Sequence, residues 1–349
     1  MSCRQEHWGL EFSREEIAAC RERGGLLSLE LELSRACNLR CTYCYASSGL
    51  ALPDELNLEE IFSAVDQAAG LGARKIIVLG GGEPLLYPHL FQVIDHIRSL
   101  GLQVDLFTNG TLIDREAAHK LFERDVSISM KMNSRNPAVQ DELAGRPGTF
   151  AAIEKGLAAL REAGYPDETH TLGIETIVCS QNYDELPELW RWARKRSIVP
   201  YVEVMTLQGR AVRNRFLEVS PERIRILFEK LAEIDAVEFG RVWYPLPPLA
   251  ASRCARHEYS CTVTSTGEVN PCPGVSIPIG NIRQAPLREI LRTSTVIQDL
   301  RNIRMKIKGR CADCTHNEFC YGCRGHAYQV TGDHLAEDPI CWLDEEYKN

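Results

Sequence analysis

The sequence predicts an α/β protein: a parallel sheet built from six βα units, followed by a smaller cysteine-rich domain. Three observations carry this. The chain has 349 residues, room for two domains at about 150 residues each. Between positions 25 and 210, short β-branched or apolar runs alternate with longer amphipathic segments, the rhythm of βα units. Of fourteen cysteines, three fall between positions 37 and 44 and eight between 254 and 341, so the end of the chain differs in composition from its middle.

Strands are expected at 26–33, 75–79, 103–107, 126–130, 171–178 and 201–206. Asn57 with Glu60 three residues on reads as an N-cap and its acidic partner, opening a helix that runs to Gly70 or Gly72. After the sixth strand, Ser220-Pro221-Glu222 opens another helix, with Pro at the first helical position. The run Tyr244-Pro245-Leu246-Pro247-Pro248 has the stiffness of a linker. It sets the expected boundary between domains at 25–243 and 244–349, with 1–24 as an N-terminal segment. Beyond it the chain is turn-rich, with one helical stretch expected at 287–304.

Charge and composition exclude several functions. Forty Lys and Arg against forty-eight Asp and Glu leave a net charge of −8, so the general attraction to phosphate is missing and no nucleic-acid partner is expected. The longest apolar stretches, such as 76–79, fall far short of the roughly 20 residues that cross a bilayer, so no membrane partner is expected either. The first residues lack the apolar run of a secretory signal, which makes a reducing cytoplasm the expected location. There, a set of cysteines this large points to metal rather than to cross-links. Cys3, Cys20 and Cys179, outside both groups, read as free thiols.

The first group, Cys37-x3-Cys41-x2-Cys44, follows the first strand, in the kind of loop that builds the active face of parallel βα barrels. Three thiolates supply three of the four ligands that a cubane iron–sulfur cluster takes from cysteine and leave one iron open. An incomplete shell marks a reactive metal site. The same spacing also fits three small thiols along one buried helix face. With Tyr43 just before the last cysteine, the triplet resembles that of the radical S-adenosylmethionine enzymes. Gly80-Gly81-Gly82-Glu83-Pro84 after the second strand is similar to that family's Gly-Gly-Glu-Pro.

The resemblance implies a partial parallel (β/α)6 TIM-like barrel. It implies a 4Fe-4S cluster on Cys37, Cys41 and Cys44 that binds S-adenosyl-L-methionine at the open iron. An injected electron then cleaves the cofactor to methionine and a 5′-deoxyadenosyl radical. Cofactor contacts are implied for Tyr43, for Gly81, Gly82, Glu83 and Pro84, and for Thr108 and Asn109 at the end of the third strand. They are likewise implied for Ser129 on the fourth strand, and for Gly209 and Arg210 on the adenine side. Relatives often carry Ser-Leu-Asp-Gly where this chain has Ser129-Met130-Lys131-Met132. A cation thus replaces an acid, and Lys131 is suited to hold a carboxylate.

The second group reads Cys254-x6-Cys261-x10-Cys272, then Cys311-x2-Cys314-x5-Cys320-x2-Cys323-x17-Cys341. Eight thiolates divide into two complete shells for four-iron clusters, although Cys-x2-Cys pairs also suit zinc. With Gly267 five residues before Cys272, this region resembles the SPASM extension of the same superfamily. The resemblance implies two auxiliary 4Fe-4S clusters. One takes Cys254, Cys261, Cys272 and Cys323, the other Cys311, Cys314, Cys320 and Cys341. The usual pattern has three residues between the last two cysteines of the short-spaced run, and this chain has two between Cys320 and Cys323.

By the same resemblance the chain is a radical SAM/SPASM enzyme that abstracts hydrogen from a peptide or protein substrate, a maturase, fed by an electron donor such as flavodoxin or ferredoxin. Only about 25 residues precede the first strand, so leader-peptide recognition would need another chain. A small-molecule alternative rests on the tail, Gly322-Cys323-Arg324-Gly325-His326 through Cys341. That tail resembles those of relatives that trim or decarboxylate tetrapyrrole side chains. A non-catalytic electron-transfer protein is the third reading, and the 81–84 loop speaks against it. For a base or radical relay the candidates are Glu175 and Glu203 on the fifth and sixth strands, with Tyr43 and Lys131.

Overall fold

The computed structural model describes residues 11–251 and 253–343. Six parallel strands lie side by side in chain order: β1 (Ser28–Ser34), β2 (Lys75–Gly81), β3 (Gln103–Thr108), β4 (Val126–Lys131), β5 (Leu172–Val178) and β6 (Val199–Val204). Parallel neighbours require crossover connections. Helices α2 (Leu58–Gly70), α3 (Leu90–Ser99), α4 (Arg115–Phe122), α5 (Pro137–Ala144), α6 (Thr149–Ala163) and α7 (Leu186–Arg194) provide them, with α1 (Arg14–Glu22) before the sheet and α8 (Pro221–Phe239) after it. These are the βα units of the expected partial barrel.

Local signals account for the elements. Asn57 and Glu60 form the reciprocal capping box that starts α2, at 3.0 and 2.9 Å. Along β1, Leu29, Leu31 and Leu33 join the core with Ile76, Val78, Val104, Leu106 and Ile128. Their neighbours Glu30 and Glu32 turn into the barrel, where they meet Arg256 and Tyr45. Behind the sheet, Asp235 of α8 accepts hydrogen bonds from Trp190 (2.7 Å), Trp243 (3.0 Å) and the Arg194 guanidinium (2.6 and 2.9 Å), locking α7 against α8.

Three differences from expectation have physical causes. First, β6 begins at Val199, ahead of the expected start, because Pro200 is tolerated near the beginning of an edge strand. Second, the 244–248 run is no free linker. Val204 N donates to Pro248 O at 2.9 Å and Ala250 N to Val202 O at 2.8 Å, so the segment covers the open edge of β6. Third, the cysteine-rich region continues the sheet. After α9 (Arg256–Tyr259), β7 (Thr262–Val263) pairs parallel with β1, and β8 (Glu268–Asn270) and β9 (Gly280–Asn281) follow antiparallel.

Strands of two or three residues are too short to show alternation in the sequence. The helix expected at 287–304 is three: α10 (Leu287–Thr293), α11 (Thr295–Arg301) and α12 (Ile303–Lys306). Ser294 breaks the run by capping α11. Near the end of the described chain, α13 (Arg324–Thr331) starts directly after Cys323. Among the described residues no helix is long and apolar enough to cross a membrane.

Candidate active site

The C-terminal ends of the strands open into a cavity of about 300 Å³. On one side stand Cys37, Cys41 and Cys44, the 79–83 backbone, and Thr108 and Asn109 of the β3 end. Lys131, Glu175, Tyr201 and Glu203 rise from β4, β5 and β6. The far wall comes from the C-terminal region: Cys254, Cys272 and Cys323, with Arg256, His257 and Arg324. Thus one cavity joins the two cysteine groups. A separate cavity of about 550 Å³ lies at the opposite ends of the strands around the Lys75–Asp105 pair, and among the described residues no cysteine lines it.

The Cys37 loop is held from three sides. Arg40 N and Thr42 N donate to the last carbonyls of α5, Ala144 O (3.1 Å) and Leu143 O (2.9 Å). Glu83 N donates to Ala36 O at 2.8 Å. Arg210 donates from Nε to Cys41 O (2.7 Å) and from Nη1 to Ser48 O (2.9 Å). Two glycines make these approaches possible. A Cβ on Gly82 would lie 2.0 Å from Ala36 O, and one on Gly209, whose φ is +58°, would lie 2.2 Å from Tyr45 O.

Burial pushes the Cys41 thiol up to about 12, and the neighbouring charges of Cys44 and Cys37 add to the rise. Three thiolates crowded this way need a cation among them. Leu39 N already points at Cys37 Sγ, at 3.4 Å, as backbone N–H groups do around cluster sulfurs. The donor set therefore fits the iron–sulfur cluster that the spacing implied.

The Glu83 carboxylate is spent on the end of β3: it accepts from Thr108 Oγ1 (2.6 Å) and Asn109 N (2.7 Å). That network sets the 81–83 backbone against the cavity. Tyr43 is buried, with Asn133 donating to its hydroxyl and Lys131 Nζ 5.1 Å from its ring centre. Lys131 also pairs with Glu175 at 2.9 Å, so it is no solvated lysine. Glu203 accepts from the Tyr201 hydroxyl at 3.1 Å. Burial and the adjacent Glu175 charge push its carboxyl up to about 7.

Several expected contact residues do not line the cavity: Pro84, Ser129, Gly209 and Arg210. Pro84 begins a short 3-10 turn behind the loop. Ser129 lies inside the barrel, one step below Lys131 on the same face of β4, and its Oγ has no partner. Gly209 and Arg210 clamp the Cys37 loop from outside. Conversely, Tyr45, Phe107, Tyr201, Arg256, His257 and Arg324 line the cavity unanticipated. Arg256, His257 and Arg324 were findable, since they lie within three residues after Cys254 or Cys323.

In the C-terminal region Cys311, Cys314, Cys320 and Cys341 lie within reach of one another's charge: those of Cys341 and Cys311 act on Cys320, and that of Cys314 on Cys311. Cys254, Cys272 and Cys323 form the second set, against the cavity. Backbone N–H groups again face sulfur, from Gly322 to Cys320, His326 to Cys323 and Val275 to Cys272, each at 3.3 Å. Cys261 is not brought to either set. His326 is buried and rests on Asp338, at 3.3 Å. Cys20 and Cys179 are buried in apolar clusters, and Cys3 lies outside the described residues.

Known proteins match this arrangement. The description of the Radical SAM superfamily fits residues 31–193, and that of the SPASM iron-sulfur cluster-binding domain fits residues 254–315. The AdoMet-dependent heme synthase of Methanosarcina barkeri is 32% identical over 89% of this chain and 94% of its own length. The chain belongs to the radical SAM superfamily. As a radical SAM enzyme with a SPASM domain, it uses 4Fe-4S clusters and S-adenosylmethionine. The PqqA peptide cyclase of Streptomyces rochei is 29% identical, over 92% of this chain and 90% of its own. The structure of Streptococcus suis SuiB bound to S-adenosylmethionine superposes with a TM-score of 0.70 at 17% identity, covering 95% of this chain and 81% of that one, a likeness of fold.

Proposed function

We propose that this radical SAM enzyme acts on a tetrapyrrole, removing a hydrogen atom from a propionate-type side chain and releasing its carboxylate as CO2. The observation that carries this reading is the make-up of the cavity. Phe107, Tyr45 and Tyr201 give it aromatic walls, and beside them stand Arg324 and two cations already paired with acids, Lys131 with Glu175 and Arg256 with Glu30, a combination suited to a flat ring bearing carboxylates. The tail segment 322–325 enters the same cavity. The similarity to a heme synthase supports the same substrate class.

In this reading Cys37, Cys41 and Cys44 hold the reactive cluster, and the 81–83 backbone with Thr108 and Asn109 shapes the place of S-adenosylmethionine beside it. Bound there, the pair supplies a hydrogen-abstracting radical. Taking one hydrogen atom from –CH2–CH2–COO⁻ and releasing CO2 leaves a vinyl group and one electron. A cluster held by Cys254, Cys272 and Cys323, which line the same cavity, would supply an acceptor for that electron. Glu203, with Glu175 beside it, holds a proton near neutral pH, and Lys131 offers a charge to a carboxylate.

The test is anaerobic turnover of reconstituted protein with S-adenosylmethionine, a strong reductant and iron-coproporphyrin. Expected are a shift of the porphyrin absorption on binding, and loss of CO2 and two hydrogens per converted side chain, matched by 5′-deoxyadenosine. No shift, and no deoxyadenosine above the substrate-free background, would overturn the reading. The similarity to a peptide cyclase favours a peptide substrate as the second reading. In either case a flavodoxin- or ferredoxin-type donor is the expected source of electrons.

A further inference from the structure

Cys261 stands apart from the cysteines that its spacing suggests as partners. It immediately precedes β7, and Thr262 sends its hydroxyl into the barrel to Glu30 Oε2, at 2.6 Å. Side chains alternate along a strand, so Cys261 and Val263 point to the opposite face. Both are fully buried there in the main core, with Leu29 and Leu31 of β1. The backbone is fixed in this register by Glu30 N donating to Cys261 O at 2.9 Å. Swinging the thiol to the cavity would turn Thr262 away from Glu30. The charges that act on Cys261 are those of Arg301 and Glu30, and the Arg301 guanidinium is shared with Cys20. Cys254, Cys272 and Cys323, by contrast, line the cavity together, and the charges of Cys272 and Cys254 act on Cys323.

We propose that the auxiliary cluster at the cavity wall is held by three cysteines, Cys254, Cys272 and Cys323, without Cys261, and that one of its irons is open to a carboxylate of the substrate. Arg324, fully buried at this wall, has Nε and Nη2 without a partner, donors that suit the second oxygen of such a carboxylate. Naming the ligand a substrate carboxylate rests on the tetrapyrrole reading; the cysteine count does not.

The test uses the full chain carrying Cys37→Ala, Cys41→Ala and Cys44→Ala, so that only auxiliary iron remains. In that background Cys254→Ala is expected to lose about half of the iron and sulfide, one of two clusters. Cys261→Ala is expected to keep both and to leave the electron paramagnetic resonance of the reduced protein unchanged. Cys261→Val, which fills the same core space, serves if the alanine variant does not fold. Carbon-13 cyanide added to the reduced background protein is expected to bind the open iron and show hyperfine coupling. Iron loss in the Cys261 variants equal to that of Cys254→Ala would overturn the proposal. So would the absence of carbon-13 coupling in protein with full auxiliary iron. Neither readout involves a tetrapyrrole, so failure of the substrate reading is seen separately.

Discussion

Substituting Gly82 by alanine tests how the two loops of the reactive site are fitted together. The added Cβ would lie 2.0 Å from Ala36 O and 2.7 Å from Ala36 C, whereas unbonded heavy atoms settle at roughly 3.5 Å. One of the two backbones must therefore retreat by about 1.5 Å. Ala36 adjoins Cys37, and its carbonyl accepts the 2.8 Å bond from Glu83 N, so the retreat separates the cluster loop from the 81–83 backbone. A displacement of about 1 Å at a reacting centre can cost 10²-fold in rate. Gly82→Ala is thus expected to form 5′-deoxyadenosine about 100-fold more slowly under dithionite. Auxiliary iron and the thermal transition should stay near wild type. Gly70→Ala is the control, because a Cβ there meets nothing within 4 Å. A Gly82→Ala protein within about threefold of the wild-type rate, with equal iron, would show that the two loops do not depend on this close approach.

Other expectations follow from the same contacts. Arg210→Ala removes donors to Cys41 O and Ser48 O, each worth about 1.5–3 kcal/mol as a charged hydrogen bond, and should lower iron on the Cys37 loop while auxiliary iron persists, as read by iron analysis. Glu203 is held at about 7 against an ordinary 4.5, so the folded protein keeps this proton longer than the unfolded chain does. Wild-type stability should fall relative to Glu203→Gln as pH rises from 4.5 to about 7, then run parallel above it, in denaturant melts across that range. Asp235→Ala strands the buried Arg194 guanidinium and two indole N–H groups. It should cost about 3–5 kcal/mol in the same melts, with Asp235→Asn costing less.

Much of this was legible in the sequence, and the parts that were not share a cause. All six barrel strands and the α2 and α8 starts are written in local pattern, because alternation, caps and Pro positions act over a few residues. The Cys37 triplet and the 81–84 loop are equally local. Short strands β7 to β9 were invisible, since Thr262–Val263 and Gly280–Asn281 hold too few residues to show a period. Cys261 shows the same limit: spacing records that a thiol is near its neighbours in the chain, while the face it takes is decided by the pairing of the next residue, Thr262, with Glu30 on β1. Arg210 braces the Cys37 loop through contacts that only the fold could reveal, because Cys41 and Ser48 are far from it in sequence.

Cys37, Cys41 and Cys44 are expected to hold the cluster at which S-adenosylmethionine is cleaved. This is tested most directly by measuring 5′-deoxyadenosine from wild type and from the triple alanine variant, each matched for auxiliary iron, under the same reductant. Steady formation is expected from the wild type and none above background from the variant, whose spectrum should also stop responding to S-adenosylmethionine. A variant that still cleaves the cofactor at a comparable rate would contradict this expectation.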